Sequence, residues 1–177
     1  MKKYEIERSF LVDKTKEINK MSFEEFIKKI PYEESYTAIL DGFEKNMPMR
    51  RLRKEGQKYT FTYKGIYNDK TNSREEYEEV LSKEEFKSRL VKELNEKTEI
   101  FIKDRYKINF ICANNKDRMA ELDIYHGNHE GFCSIEVEFE SKQDAKDFTP
   151  PEWFGIECSG KVVDMLKNVS LKKQNHE

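Results

Sequence analysis

The sequence predicts an α+β fold in which eight antiparallel strands close into a barrel, with helices packed outside. The first observation is a repeated alternation of charged with apolar residues, and alternate residues of a strand face opposite sides of its sheet. The second is the set of turn-forming residues between these segments, and the third is a pair of helix-capping sequences. Closure removes exposed strand edges and leaves room for side chains or one small ligand.

Eight segments carry the alternation and are predicted as strands. They are residues 2–12, 35–43, 48–54, 58–65, 73–81, 100–112, 117–126 and 132–140. The turn Lys54-Glu55-Gly56-Gln57 joins the third strand to the fourth, and Ala113-Asn114-Asn115-Lys116 joins the sixth to the seventh. Hairpins between such neighbours predict antiparallel pairing.

Helices are predicted at four places. The capping boxes Ser22-x-x-Glu25 and Ser82-x-x-Glu85 each precede an amphipathic stretch. A short helix is predicted at about 141–147, where Thr149-Pro150-Pro151 ends it, and a last helix runs from Lys161 to Leu171.

Composition narrows the class of protein. The 177 residues are predicted to form one domain, 1–177, large enough to bury a core. Charged residues make up 38% of the chain, but the net charge is only −2, so we expect no nucleic-acid or membrane partner. Three cysteines without C-x-x-C spacing, and no signal-peptide or membrane-span pattern, predict a cytoplasmic location. The expected assembly is a monomer or a homodimer.

The inward positions of the predicted barrel carry acids and bases in similar number. Like charges two residues apart repel unless opposite charge lies near them, and burying unpaired ions costs several kcal/mol each. The interior is therefore predicted to be wet or liganded by metal ions and phosphates, with mutual salt bridges as the alternative. These positions hold Glu5, Glu7, Glu76, Glu78, Glu121, Asp123, Glu136, Glu138, Arg51, Arg53, Lys64, Arg74, Lys103, Arg105 and Lys107.

An ordered set of seven motifs resembles the CYTH, or triphosphate tunnel metalloenzyme, family across nearly the whole chain. Members of this family enclose a triphosphate in an eight-stranded barrel, and their first strand carries E-x-E-x-K. The matching motifs are Glu5-Ile6-Glu7, Arg51-Leu52-Arg53, Thr60-Phe61-Thr62-Tyr63-Lys64, Arg74-x-Glu76-x-Glu78, Lys103-Asp104-Arg105, Glu121-Leu122-Asp123 and Ile135-Glu136-Val137-Glu138.

The resemblance implies a division of labour among these residues. Arg51, Arg53, Lys64, Lys103 and Arg105 would bind phosphates, with Lys161 reaching in from the C-terminal segment. Mg²⁺ or Mn²⁺ would be held by Glu5, Glu7, Glu136 and Glu138, with Glu76 and Asp123. Glu7 would also serve as the catalytic base. Ser9 stands where the family has its signature lysine, so it would offer substrate a neutral hydrogen bond instead of a cation.

The implied activity is metal-dependent hydrolysis of inorganic triphosphate, a triphosphate-containing small molecule being the expected partner. Inorganic triphosphate is favoured because no added domain or base-reading insertion is evident in the sequence. Other members of the family make cyclic AMP from ATP, as class IV-type adenylate cyclases do, or hydrolyse thiamine triphosphate. A protein that binds polyphosphate or nucleotide without catalysis is the further alternative, which the serine at position 9 supports.

Overall fold

The structure is a computed structural model and describes residues 2–42, 47–114 and 116–174. Within these ranges the chain forms nine strands, four α-helices and a short 3-10 helix. The strands are β1 Lys2–Val12, β2 Glu33–Asp41, β3 Met49–Glu55, β4 Lys58–Lys64, β5 Ser73–Leu81, β6 Glu99–Ile111, β7 Asp117–His126, β8 Cys133–Glu138 and β9 Phe154–Glu157. The helices are α1 Phe23–Lys29, α2 Lys83–Glu93, α3 Lys142–Asp147 and α4 Val162–Gln174, and the 3-10 helix is Gly127–His129.

Eight of these strands close into the predicted barrel. The neighbours run β5-β4-β3-β2-β6-β7-β8-β1, and β1 pairs back to β5. Every pairing is antiparallel, and β9 lies outside the barrel on the last residues of β1. The two-residue turn between β3 and β4 contains Gly56 at φ +57°, a left-handed conformation that glycine adopts without steric cost. The predicted barrel is therefore confirmed.

The outward apolar residues of the strands form the core with the helices. One cluster joins Phe10, Ile135 and Val137 to Phe26 of α1 and Ala145 of α3. A second joins Leu52 and Leu81 to Phe86 of α2. Full burial of a Val, Leu, Ile or Phe side chain contributes about 1.5–3 kcal/mol, so these two clusters stabilise the barrel from outside.

The charged interior of the barrel, here called the bore, becomes apolar at one end. Ile39, Phe101 and Tyr125 belong to a buried cluster that also contains Leu166 of α4. These three barrel residues share their strand faces with Thr37, Lys103 and Asp123, so they point into the bore. Helix α4 therefore covers this end of the barrel.

Both predicted capping boxes are present. The Ser22 and Ser82 hydroxyls accept from the backbone N–H groups of Glu25 and Glu85, and each glutamate accepts from the backbone N–H of its serine. These reciprocal bonds satisfy two N–H groups that a helix start leaves unpaired. No described helix has both the length and the apolar character needed to cross a membrane.

The structure differs from the predicted elements mainly at their ends. The second strand covers Glu33–Asp41 instead of 35–43, and position 43 and the turn residue Asn115 lie outside the described residues. Strand β9 falls where only a turn before the last helix was predicted, because four residues are too few to show an alternation. The last helix begins at Val162, one residue later than predicted.

Asp144 ties α3 to the barrel through charge. Its carboxylate accepts from Arg118 at 2.6 and 3.1 Å and from Lys116 at 3.2 Å. The hydrogen bonds from Arg118 hold the pKa of Asp144 near 2, below its ordinary 3.8. Because the folded pKa is the lower one, the stabilisation is present above pH 3.8 and is lost as the pH falls through about 2.

Asp144→Asn is therefore expected to lower the free energy of unfolding by about 1 kcal/mol at neutral pH. The deficit relative to wild type should shrink as the pH falls below 3.8, which urea unfolding at several pH values would measure. Asp147→Asn is the control, since its carboxylate accepts only from Gln143 on the exposed side of the same helix among the described contacts. A deficit that stays constant down to pH 2 would contradict the ionic origin.

Candidate active site in the barrel bore

The bore opens into a cavity of about 780 Å³, and charged side chains line most of it. Such a volume lies in the usual range for small-molecule sites. A second cavity of about 80 Å³ lies deeper, between the charged section and α4. Lining residues include Glu5, Arg51, Arg53, Lys64, Glu76, Arg105, Glu136 and Glu138 in the larger cavity, and Glu7, Ser9, Arg74 and Lys103 in the smaller. The predicted inward direction of these residues is confirmed.

Three carboxylates meet on one wall of the bore. Glu5, Glu7 and Glu138 each offer one oxygen, and these oxygens lie within 4.8 Å of one another. Glu5 and Glu7 share a face of β1, and the register of β8 sets Glu138 opposite Glu7. We call these three residues the carboxylate cluster. Hard oxygen donors at this spacing fit Mg²⁺ or Mn²⁺.

The two buried members of the cluster, Glu5 and Glu7, have pKa values that are shifted in opposite directions. Lys64 and Arg74 contact Glu5 at 2.9 and 3.1 Å. Burial would raise the pKa of Glu5, but these two cations hold it well below its ordinary value. Burial raises the pKa of Glu7 to about 8, assisted by Glu136 and Glu5, although Arg74 lies 3.2 Å away. The cations beside the cluster therefore leave Glu7 short of positive charge, which a divalent cation would supply.

The other predicted metal ligands contact cations in the described structure. Asp123 is fully buried and accepts from Lys103 Nζ at 2.6 Å and from Arg105 Nε at 2.8 Å. Glu76 pairs with Lys64 at 3.4 Å and Lys3 at 3.3 Å, and Glu136 lies 3.7 Å from Arg105. Among described residues, the structure does not bring Asp123, Glu76 or Glu136 into the carboxylate cluster.

Arg105 is the centre of an ionic network near the cavity. Besides Asp123, its guanidinium contacts Glu121 and lies 3.6 Å from Glu55. Burial would lower the pKa of Arg105, but Asp123, Glu121 and Glu136 hold it well above its ordinary value. Lys103 responds in the opposite direction, because burial and Arg105 lower its pKa to about 8. The predicted alternative of mutual salt bridges thus holds for this section of the bore.

Arg51 differs in its contacts from the paired bore cations Lys64, Lys103 and Arg105. Its Nε is buried and has no hydrogen-bond partner among the described residues, and no described ion pair involves its guanidinium. Burial and the adjacent Arg53 lower its pKa to about 10, so it still carries its charge at neutral pH. Arg53 donates to Thr37 Oγ1 at 3.1 Å and lies 3.8 Å from Glu55. Arg51 is therefore a cation placed to receive an anion.

The structure separates two further predicted substrate residues, Ser9 and Lys161. Ser9 is 2% exposed, lines the small cavity and stands opposite Glu136 in the ladder with β8. Lys161 is exposed immediately before α4, and among described residues it lines neither cavity. The structure thus brings Ser9 together with the bore residues but leaves Lys161 outside them.

Sequence reasoning missed two residues that touch the carboxylate cluster. Arg74 was placed inward but given no role, although it contacts both Glu5 and Glu7. Its alternation with Glu76 and Glu78 was sufficient to place it on the same wall. Tyr67, whose hydroxyl lies 3.1 Å from the backbone oxygen of Glu7, comes from the loop between β4 and β5. No periodic signal marks a loop residue of this kind.

The sequence is similar to that of a known triphosphatase. No family model matches the chain. The inorganic triphosphatase of Nitrosomonas europaea is 30% identical to it over 156 residues, which span 88% of this chain and 89% of that protein. This chain belongs to the CYTH, or triphosphate tunnel metalloenzyme, family. The family resemblance predicted from the seven motifs is confirmed.

Solved structures show the CYTH barrel as well. The crystal structure of the inorganic triphosphatase NE1496 matches with a TM-score of 0.53 and 25% identity, covering 94% of this chain and 97% of that one. A candidate adenylate cyclase from Bacillus halodurans matches with a TM-score of 0.58 over 96% of this chain and 91% of its own, at 18% identity. The second likeness shows a shared CYTH fold only.

Proposed function

We propose that this CYTH protein hydrolyses inorganic triphosphate to pyrophosphate and phosphate in the bore, with Mg²⁺ or Mn²⁺. The Arg51 guanidinium carries the proposal, because its buried Nε has no hydrogen-bond partner among the described residues and it lines the same cavity as Glu5 and Glu138 of the carboxylate cluster. A linear triphosphate needs cations around its phosphates and hard ligands for its metal ion, and the large cavity is lined by both. The similarity to the inorganic triphosphatase of Nitrosomonas europaea supports this choice of substrate.

The side chains of the bore divide the work by charge. Arg51, with Arg53 beside it, binds phosphate oxygens, and the planar guanidinium allows two parallel hydrogen bonds. Lys64, Lys103 and Arg105 complete the cationic wall, while Asp123 keeps the last two oriented. Ser9 contributes a neutral hydrogen bond at the covered end.

Glu5, Glu7 and Glu138 are the residues that would hold the divalent cation. Bound there, the cation would neutralise phosphate charge and make water more acidic. Glu7 is proposed as the base that accepts the proton of the attacking water, because it lines the bore within the carboxylate cluster. Phosphoryl transfer depends mainly on positioning and charge stabilisation, and the strands of the barrel hold these groups in place before substrate binds.

A phosphate-release assay over tripolyphosphate, ATP and thiamine triphosphate tests the function. We expect turnover of tripolyphosphate with Mg²⁺ or Mn²⁺, loss of turnover in excess EDTA and recovery when the metal is restored. Cyclic AMP formation from ATP would instead identify a cyclase, and preference for thiamine triphosphate would identify that activity. Tight binding of tripolyphosphate without phosphate release would identify a binding protein.

A further inference from the structure

Strand β1 changes its neighbour at the position of Glu7. Residues Lys2–Ile6 pair with β5, and on the same side Phe10 and Val12 pair with β9. Between these two ladders, the backbone groups of Glu7 and Ser9 point toward that side without a partner strand among the described pairings. Backbone groups buried in such a gap need other partners.

Loop and C-terminal residues supply these partners. The Glu7 N–H donates to the Asn72 backbone oxygen at 3.0 Å, and the Tyr67 hydroxyl lies 3.1 Å from the Glu7 backbone oxygen. The Ser9 N–H donates to Ser159 Oγ at 3.0 Å, and the Cys158 N–H donates to the Ser9 backbone oxygen at 2.8 Å. The phenol of Tyr67 thus lies where a strand N–H would lie at Glu7, and its one hydrogen is shared between the Glu7 backbone oxygen and Asn72 Oδ1.

Tyr67 also contacts Arg74, the arginine that pairs with Glu5 and Glu7 of the carboxylate cluster. Its half-buried ring lies 5.8 Å from the guanidinium carbon of Arg74, a distance at which a ring face attracts a cation. Arg74 in turn contacts Glu5 at 3.1 Å and Glu7 at 3.2 Å. Tyr67 therefore contacts both the backbone of Glu7 and Arg74, which pairs with the Glu7 carboxylate.

The ring position is fixed from two further sides. Asn72 Oδ1 lies 2.9 Å from the Tyr67 hydroxyl, and Asn72 has φ +53°, a left-handed conformation that asparagine tolerates. On the other side the ring packs against Gly160, where an added Cβ would lie 2.6 Å from Tyr67 Cδ1. The loop before β5 and the segment before α4 therefore clamp this side chain.

We propose that Tyr67 is a positioning residue that orients Glu7 and Arg74 for divalent-metal binding, through its hydroxyl on the Glu7 backbone and its ring on Arg74. This inference rests on the proposed function for its metal. Glu7 is a cluster member, so a small rotation of its backbone moves its carboxylate relative to Glu5 and Glu138. Residues that orient metal ligands typically affect metal affinity by 10–100-fold.

Tyr67→Phe is the direct test, because it keeps the ring and removes only the hydroxyl. We expect its Kd for Mn²⁺, measured by calorimetry and by electron paramagnetic resonance without substrate, to rise about tenfold. The Mn²⁺ concentration for half-maximal phosphate release should rise by the same factor, while KM for tripolyphosphate at saturating Mn²⁺ should not change. Tyr63→Phe is the matched control, since Tyr63 is an exposed tyrosine on the outer face of β4.

Gly160→Ala supplies a second variant that keeps the hydroxyl but displaces the ring. It should also weaken Mn²⁺ binding, and the double variant should weaken it less than the product of the two single effects. Tyr67→Phe with wild-type Mn²⁺ affinity, or with only a lowered thermal midpoint, overturns the inference. Absence of Mn²⁺ binding in wild type overturns it together with the metal assignment. Mn²⁺ binding in wild type without triphosphate hydrolysis overturns the proposed function alone.

Discussion

Glu7→Gln is expected to lower kcat for metal-dependent triphosphate hydrolysis by about 10²–10⁴-fold. The change keeps the size of the side chain but removes one anionic ligand of the carboxylate cluster and the proposed base. It should also raise the Kd for Mn²⁺, because a neutral amide oxygen is a weaker ligand than a carboxylate. Steady-state kinetics with Mn²⁺ titrated at saturating tripolyphosphate would measure both effects.

The thermal stability of Glu7→Gln tests whether its lower kcat reflects lost catalysis instead of unfolding. Burial, Glu136 and Glu5 raise the pKa of Glu7 to about 8, so its carboxyl is mostly neutral at pH 7 without metal, and a neutral amide should leave the thermal midpoint unchanged or higher. Glu34→Gln is the control. Glu34 is exposed on β2, and both it and its ladder partner Asp104 lie on the outer face of the barrel. Unimpaired turnover and Mn²⁺ affinity in Glu7→Gln would show that Glu7 is neither ligand nor base.

Arg51→Met is expected to have the second large effect, a weaker binding of the phosphates of the substrate. We expect kcat/KM for tripolyphosphate to fall about 10²–10³-fold, because a preorganised donor to developing phosphate charge is lost. Methionine keeps part of the apolar stem, and removal of a cation whose buried Nε has no hydrogen-bond partner among the described residues should preserve or raise stability. Calorimetric titration with tripolyphosphate would separate lost affinity from lost turnover.

The adjacent Arg50 offers a matched control with the opposite expected pattern. It faces outward and pairs with Asp41 at 2.8 Å and Glu93 at 2.9 Å. Arg50→Met should lower the free energy of unfolding by up to about 1 kcal/mol and leave triphosphate turnover unchanged. If Arg50→Met impairs turnover as much as Arg51→Met does, the assignment of Arg51 as the phosphate cation is wrong.

The barrel could be predicted because alternation along a strand has a local cause. Glu5 and Glu7 must share one face of β1, and Arg51 and Arg53 one face of β3, whatever the rest of the chain does. Leu52, Ile135 and Val137 occupy the alternate positions and are fully buried on the outer face of the barrel. Capping boxes are equally local, and both were found in place.

The composition of the carboxylate cluster could not be predicted in the same way. Alternation places Asp123, Glu76, Glu136 and Glu138 in one bore but does not say which of them meet. The register of β1 on β8 brings Glu138 opposite Glu7, while that of β6 on β7 brings Arg105 opposite Asp123. Six carboxylates were predicted as metal ligands, and the structure groups three of them in the described part of the chain.

The amino-acid sequence was sufficient to predict the side-chain directions of the eight barrel strands, the charged bore, the capped helices and membership of the CYTH family. Three features emerge from the folded structure alone: Arg51 Nε has no hydrogen-bond partner among the described residues, Asp123 binds two cations, and Tyr67 supports Glu7. Side-chain direction is a local property, because successive residues of a strand point to opposite faces of the sheet. Contact between charges depends on strand order, register and loop path, which bring together residues such as Tyr67 and Glu7 that lie 60 positions apart.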